Sequence, residues 1–408
     1  MKEPKIRFKG FSGEWKRSTL GDLALFSKGS GYSKSDICKE GTPVILYGRM
    51  YTKYQSVFDE IDTFVNPKDN SVVSKGGEVI IPGSGESSED ISLAAMVKNE
   101  GVILGGDLNI LKFNQKVNDP AFMSMAITYS PTRAELSSYS QGKTVVHLRN
   151  SEIAKGTIRY PDILEQNTIV NYVLSLDAQI SASTSRLASL KQMKAASLQA
   201  MFPQEGETVP KVRFKGFDGE WKTRSLNNYA KKRTEKNVNR IYNVTLTNSA
   251  EFGIIDQRQF FDHDISNSEN IDGYFVVRDK DFVYNPRISA SAPVGPINQN
   301  KLGYPGVMSP LYLVFEVKGI NHDFLEIYFH TALWHKYMFD NGNSGARFDR
   351  LTISDDDFMR MPIPDISLAE QQSIASFFTS LDRQIALHTQ RLEKLKQIKA
   401  ACLDKMFA

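Results

Sequence analysis

The side chains able to do chemistry fall into a few short stretches. Tyr47-Gly48-Arg49-Met50-Tyr51-Thr52-Lys53-Tyr54 interleaves aromatics, cations and a glycine. That mixture suits phosphate contact combined with readout of base edges, or a surface loop with packed tyrosines. Gln141-Gly142-Lys143-Thr144 and Ser344-Gly345-Ala346-Arg347 stand at matching distances before Pro161 and Pro364. In each, a glycine lets the backbone approach a ligand beside donor-rich side chains. Pro82-Gly83-Ser84-Gly85 and Asn285-Pro286-Arg287 are polar turns that follow the β-rich runs Val79-Ile80-Ile81 and Phe282-Val283-Tyr284, which begin after Glu78 and Asp281. Residues 222–240 carry Lys222, Arg224, Lys231, Lys232, Arg233, Lys236 and Arg240 against the single acid Glu235. That run reads as a phosphate track or as a solvated face. The residues expected to touch nucleic acid are therefore Tyr47, Arg49, Tyr51, Lys53, Ser84, Gln141, Lys143, Lys231, Arg233, Asn285, Arg287, Ser344 and Arg347.

Catalytic patterns are missing from the sequence. It has no GxxxxGK[ST] phosphate loop, no GxSxG, no HExxH, and no Asn/Asp-Pro-Pro-aromatic methyltransferase motif, since Asn285-Pro286 is followed by Arg287. Gly29-Ser30-Gly31 and Gly83-Ser84-Gly85 lack the third glycine of a dinucleotide loop and read as turns. The two cysteines, Cys38 and Cys402, form no CxxC pair, so neither a thiolate zinc site nor a disulfide framework is expected. No catalytic residue and no metal site is expected.

These stretches need elements to hold them, and 408 residues exceed one ordinary core. Charged residues at 24% and no apolar run of membrane-spanning length give the profile of a soluble protein, expected in the cytoplasm with no membrane partner. The charged N-terminus lacks the apolar core of a secretory signal. A net charge of +3 permits a nucleic-acid binder only if its cations gather on one face.

The chain is written twice. Residues 4–24 and 210–230 are identical at thirteen of twenty-one positions, Trp15 and Trp221 included. A second repeat links 165–202 with 370–407, each copy preceded by Pro-Asp-Ile. Between the repeats, 25–160 and 231–363 share no visible similarity. The two ends of the polypeptide are expected close together, as in a two-fold object opened within one linker. The repeated C-terminal segments place apolar residues at steps of four and three: Ile169, Val173, Leu176, Ile180, Leu187 and Leu190, then Ile374, Phe378, Leu381, Ile385, Leu392 and Leu395. This spacing is that of a coiled-coil seam or of an ordinary amphipathic core helix, with the length, the repetition and the polar opposite face favouring the seam, and Ser183 and His388 stand at the skipped place. Helices of about 35 residues would be about 50 Å long and antiparallel, as a rod with one body at each end.

The spacing Glu370-Gln371-Gln372, Ile374, Leu381-Asp382, Ile385, Leu392, Leu395-Lys396, Lys399, Met406-Phe407 resembles the conserved helical region of the specificity subunit of Type I restriction-modification systems. Glu165-Gln166 opens the other copy, with Asn167 in place of the second glutamine. The resemblance is specific in the helices and generic in the bodies. It implies an α+β chain: two α/β target-recognition domains (1–160 and 210–363), separated by two long antiparallel coiled-coil helices (161–209 with its linker, and 364–408), in a pseudo-two-fold repeat. It further implies a non-catalytic subunit whose two domains each read half of a split, non-palindromic site on double-stranded DNA. Two methyltransferase subunits and, in the full complex, restriction and translocase subunits would be its partners. S-adenosylmethionine, ATP and Mg would be bound by those partners and no cofactor by this chain. A coiled-coil scaffold carrying two protein-binding modules is the alternative reading, and a stand-alone nuclease or methyltransferase the third.

Overall fold

The computed structural model describes residues 3–142, 144–260, 271–343 and 349–407. The chain divides into two compact units, Met1–Thr184 with Gln390–Ala408, and Ser185–Thr389.

In the first unit the repeated N-terminal segment leads into strand Lys16–Thr19, which pairs antiparallel with Thr157–Tyr160. A five-stranded sheet among the described residues then runs in the order Ala24–Lys28, Leu108–Phe113, Glu78–Pro82, Ala95–Val97, Val57–Phe58. Its central strand 78–82 is buried along its whole length, as the unbroken apolar run Val79-Ile80-Ile81 requires. A second five-stranded sheet among the described residues pairs Thr42–Ile45 with Glu100–Leu104 in parallel. Helices Pro120–Tyr129 and Thr132–Tyr139 follow; the first starts at Asp119, whose carboxylate accepts from the backbone N–H groups of Ala121 and Phe122.

The second unit repeats this plan in shorter form. Strand Lys222–Ser225 pairs with Pro362–Asp365, matching 16–19 with 157–160. Its four-stranded sheet among the described residues runs Ala230–Lys232, Leu313–Val317, Phe282–Tyr284, Ile297–Gln299, the same order as the first four strands above. The two bodies thus share a sheet although their sequences show no kinship. Helix His322–Phe329 starts at Asn321, and His335–Asn341 follows it.

Each repeat boundary is held by the same clamp. The Arg7 guanidinium grips Glu165 with bonds of 2.7 and 2.8 Å, and Arg213 grips Glu370 at 2.7 and 2.8 Å. Both glutamates are almost wholly buried. The next residue ties the long helix to the body: Gln166 accepts from Asp119 N (2.8 Å) and donates to Pro161 O (2.8 Å), while Gln371 accepts from Asn321 N (2.7 Å) and donates to Ile366 O (2.9 Å).

The long helices span Ile163–Ala200 and Leu368–Lys405. In the first unit the N-terminal part of the first lies with the C-terminal part of the second, and Lys399 forms an ion pair with Asp177. In the second unit the remaining parts meet through Lys194 and Asp382 at 2.6 Å. The two pairs are the same pair in the repeat. Along the seam Ile169, Val173, Leu176, Leu190, Ile374, Phe378, Leu381, Leu392 and Leu395 are buried, and Ile180, Leu187 and Ile385 are half-buried. Ile169 and Val173, like Ile374 and Phe378, pack into the core of their own unit.

Each helix end plugs a core. Phe407 stands 5.6 Å from Phe122 and 6.3 Å from Tyr129, with Trp15 edge-on to Phe122. Phe202 takes the same place against Phe324 and Trp221. The backbone N–H of Ile6 donates to Lys405 O (3.0 Å), so the expected proximity of the two ends is present; Val212 N to Ala200 O (2.9 Å) is its counterpart. Phe407→Ala removes a buried ring and is expected to destabilise the first unit by about 3–5 kcal/mol. Chemical denaturation with separate fluorescence probes in each unit checks this, the second unit's transition staying in place.

Candidate nucleic-acid interface

In the first unit four expected residues come together. The Tyr47 and Tyr51 rings meet edge-on at 6.4 Å. The Tyr51 hydroxyl donates to the Ser84 carbonyl (2.7 Å), and burial pushes its phenol above the ordinary range. Ser84-Gly85 is a short strand rather than the expected turn, paired antiparallel with Val146–His147. Gln141 closes the far side, exchanging two backbone hydrogen bonds with His147 at 3.0 and 2.8 Å. Between them Gly142 has φ of +133°, and a Cβ there would sit 2.0 Å from Val145 O, so only glycine makes this tight return. Ser84 Oγ lies 2.9 Å from Nδ1 of the exposed His147. Ser84 itself is buried, so its hydroxyl positions the imidazole instead of facing outward. His147 had no signal of its own in the sequence: a lone histidine in an apolar-polar run carries no spacing.

Arg49 is corrected. Its side chain is only 9% exposed, ion-paired with Asp62, bonded to Glu60 O at 3.3 Å and laid over the Phe58 ring at 5.5 Å. It fastens the helix Arg49–Thr52 to the body. Lys53 is exposed and pairs with the same Asp62.

In the second unit the expected phosphate track is largely neutralised. Arg224 pairs with Asp365 (3.0 Å), Lys232 with Asp355, and Arg240 with Asp272 (2.6 Å). Arg233, expected to face nucleic acid, holds the buried Asp281 by bonds of 2.6 and 2.9 Å. Burial raises the Asp281 carboxyl above its ordinary value despite that partner. Lys231 remains exposed on an edge strand.

Asn285 and Arg287 flank a cleft of about 470 Å³ that Asn248, Ser309, Tyr312 and Arg350 also line. The Asn285 amide is spent on structure, donating to Asn248 O (2.9 Å) and accepting from Arg287 N (3.0 Å). Behind it Asn298 donates to Asn248 Oδ1 (2.7 Å), and Gly295, at φ +84°, brings its backbone so near Asn285 O that a Cβ would stand 2.0 Å away. Arg287 is 68% exposed, and its nearest carboxylate among the described residues is Asp349 at 3.8 Å. Lys143, Ser344 and Arg347 lie outside the described residues.

Among the described residues no cluster of three or more metal-ligating side chains occurs, and no helix is long and apolar enough to cross a membrane.

Comparison with solved structures shows the fold. The chain is similar to the Type-I restriction-modification system S subunit from M. genitalium, at 13% identity and a TM-score of 0.58, covering 100% of this chain and 99% of that one. It is also similar to the HsdS subunit from Thermoanaerobacter tengcongensis, at 16% identity and a TM-score of 0.49, covering 100% and 99%. No curated protein matches the sequence. The description "Type I restriction modification DNA specificity domain" matches twice, over residues 12–192 and 219–397, each match taking in one body and the first part of its long helix. By that double match the chain belongs to the DNA specificity family of Type I restriction-modification systems.

Proposed function

We propose that the chain is the non-catalytic, sequence-reading subunit of a Type I restriction-modification complex, each unit reading one half of a split site on double-stranded DNA. The long helices set the gap between half-sites and carry two methyltransferase subunits. Those partners bind S-adenosylmethionine and methylate adenine; restriction subunits, in the full assembly, use ATP and Mg. The observation that carries this reading is the family's specificity domain present twice, in bodies whose exposed side chains differ. Unlike heads read unlike half-sites, so the target is non-palindromic; a symmetric dimer would read a palindrome.

Mapping methylated adenines in a host producing this chain with its methyltransferase partner tests the reading. A single asymmetric motif with a fixed unspecified gap is the expected result. Binding of the purified complex to that motif should fall about a thousandfold between 50 and 200 mM salt if some six phosphates are contacted. No methylation motif, together with salt-insensitive or absent DNA binding, would favour a protein scaffold.

A further inference from the structure

The two bodies carry one shared device where their sequences have diverged. In the first unit Leu148 N donates to Gly83 O (3.0 Å), and His147 stands opposite Ser84. In the second, Leu351 N donates to Pro286 O (2.9 Å), and Arg350 stands opposite Arg287. Both ribbons leave the end of the same buried strand, 78–82 in one body and 282–284 in the other. Ser84 and Arg287, and likewise His147 and Arg350, therefore occupy equivalent positions of the duplicated fold.

The side chains at these positions keep unspent hydrogen-bonding capacity. His147 is exposed and tethered through Nδ1 alone, and Nε2 has no partner among the described residues. Arg287 and Arg350 share a single exposed carboxylate, Asp349, at 3.8 Å from each. Three other arginines of this unit are held by carboxylates at hydrogen-bond distance: Arg233 by Asp281, Arg278 by Glu235 at 2.9 and 3.0 Å, Arg240 by Asp272 at 2.6 and 3.1 Å. Arg287 and Arg350 also border the cleft beside Asn248 and Tyr312.

We propose that the cross-strand pairs Ser84–His147 and Arg287–Arg350 are the same reading position of the two heads, and that His147 and Arg350 each determine one base of their own half-site. This rests on the DNA-reading function proposed above. In the tautomer whose Nδ1 accepts from the Ser84 hydroxyl, Nε2 carries the proton and meets an acceptor, a purine N7 or a keto oxygen. It rejects cytosine, which offers an amino donor. A guanidinium at the equivalent place presents a two-pronged donor that suits guanine O6 and N7. One scaffold position thus asks two different questions of DNA.

Selection from randomised duplexes, with the full chain assembled with its partner subunits, tests the proposal. His147→Ala should relax the base preference by about tenfold at one position of one half-site, and Arg350→Ala at one position of the other. Arg350→Lys keeps the charge but loses the fork, so it should retain overall affinity while losing the same preference. Ser84→Ala, which frees the imidazole without removing it, should weaken the His147-dependent preference. Thermal melting confirms that each variant is folded, and the lysine and serine variants serve where an alanine variant does not fold. Unaltered base frequencies at every position, or an even loss across all sequences, would overturn the inference while leaving the DNA-reading function intact. A wild-type complex that enriches no sequence at all would overturn both.

Discussion

Deleting seven residues from each long helix, 181–187 and 386–392, is expected to abolish binding at the native DNA target and move the preference to a gap about three base pairs shorter. Seven residues are two turns of a coiled coil, so the deletion preserves the phase of the seam at Ile169, Val173, Leu176 and their repeat partners. The clamps Arg7–Glu165 and Arg213–Glu370 and the plugs Phe407 and Phe202 lie outside it. Each helix shortens by about 10 Å, at about 1.5 Å per residue, which corresponds to about three base pairs of duplex at about 3.4 Å each. Binding to a panel of duplexes whose half-sites are held constant and whose gap is varied by single pairs reads the result. A folded deletion variant that still demands the original gap would show that the helices do not set it. Deletion in one helix alone should break the register of paired partners and unfold the seam, which circular dichroism would detect.

The second large effect concerns stability. Arg233→Ala strands Asp281, whose side chain is only 4% exposed and whose other partner is the Arg278 backbone N–H. Breaking such a pair from one side costs about 3–5 kcal/mol. The pH dependence follows from the direction of the shift. Burial already raises the Asp281 carboxyl above its unfolded value with Arg233 in place, and removing the cation raises it further. A carboxyl with a raised folded value is penalised once it ionises. The penalty is absent below the unfolded value, near 3.8, and complete above the folded one. The deficit of the variant relative to the parent should therefore be greatest at neutral pH and shrink as pH falls toward 4. Urea denaturation at several pH values checks this. A deficit that grows on acidification would mean that Asp281 is not the group left behind, and a variant of full stability with weakened DNA binding would restore Arg233 to the phosphate track.

The long helices are legible in the sequence because their signals are local and doubled. The seam shows as a 3.5-residue period, and Glu165-Gln166 and Glu370-Gln371 stand at the same place in both copies. What those four residues do was not legible, since Arg7 and Glu165 are 158 residues apart and only the fold brings them together. The candidate surface is half legible for the same reason. Tyr47, Tyr51, Ser84 and Gln141 were picked out by composition, but their convergence depends on Ser84 pairing with His147 across 63 residues. The carboxylate partners of Arg49 and Arg233 are not legible, because only the fold brings Asp62 and Asp281 to them. Asp281 was noticed as a carboxylate leading a strand, as was Glu78. In the fold each accepts a backbone N–H from three residues earlier, Arg278 to Asp281 at 2.7 Å and Lys75 to Glu78 at 2.9 Å, fixing the turn before the central strand.

The junction at Val212 and Ala200 is closed by the same contact as that between Ile6 and Lys405. Each body accordingly begins and ends on interchangeable fasteners whose sequences are nearly alike. A genetic crossover between two related chains, falling within those flanks, would exchange one body whole and leave both fasteners able to close. New combinations of reading heads can then arise by a single exchange, with no new interface to invent.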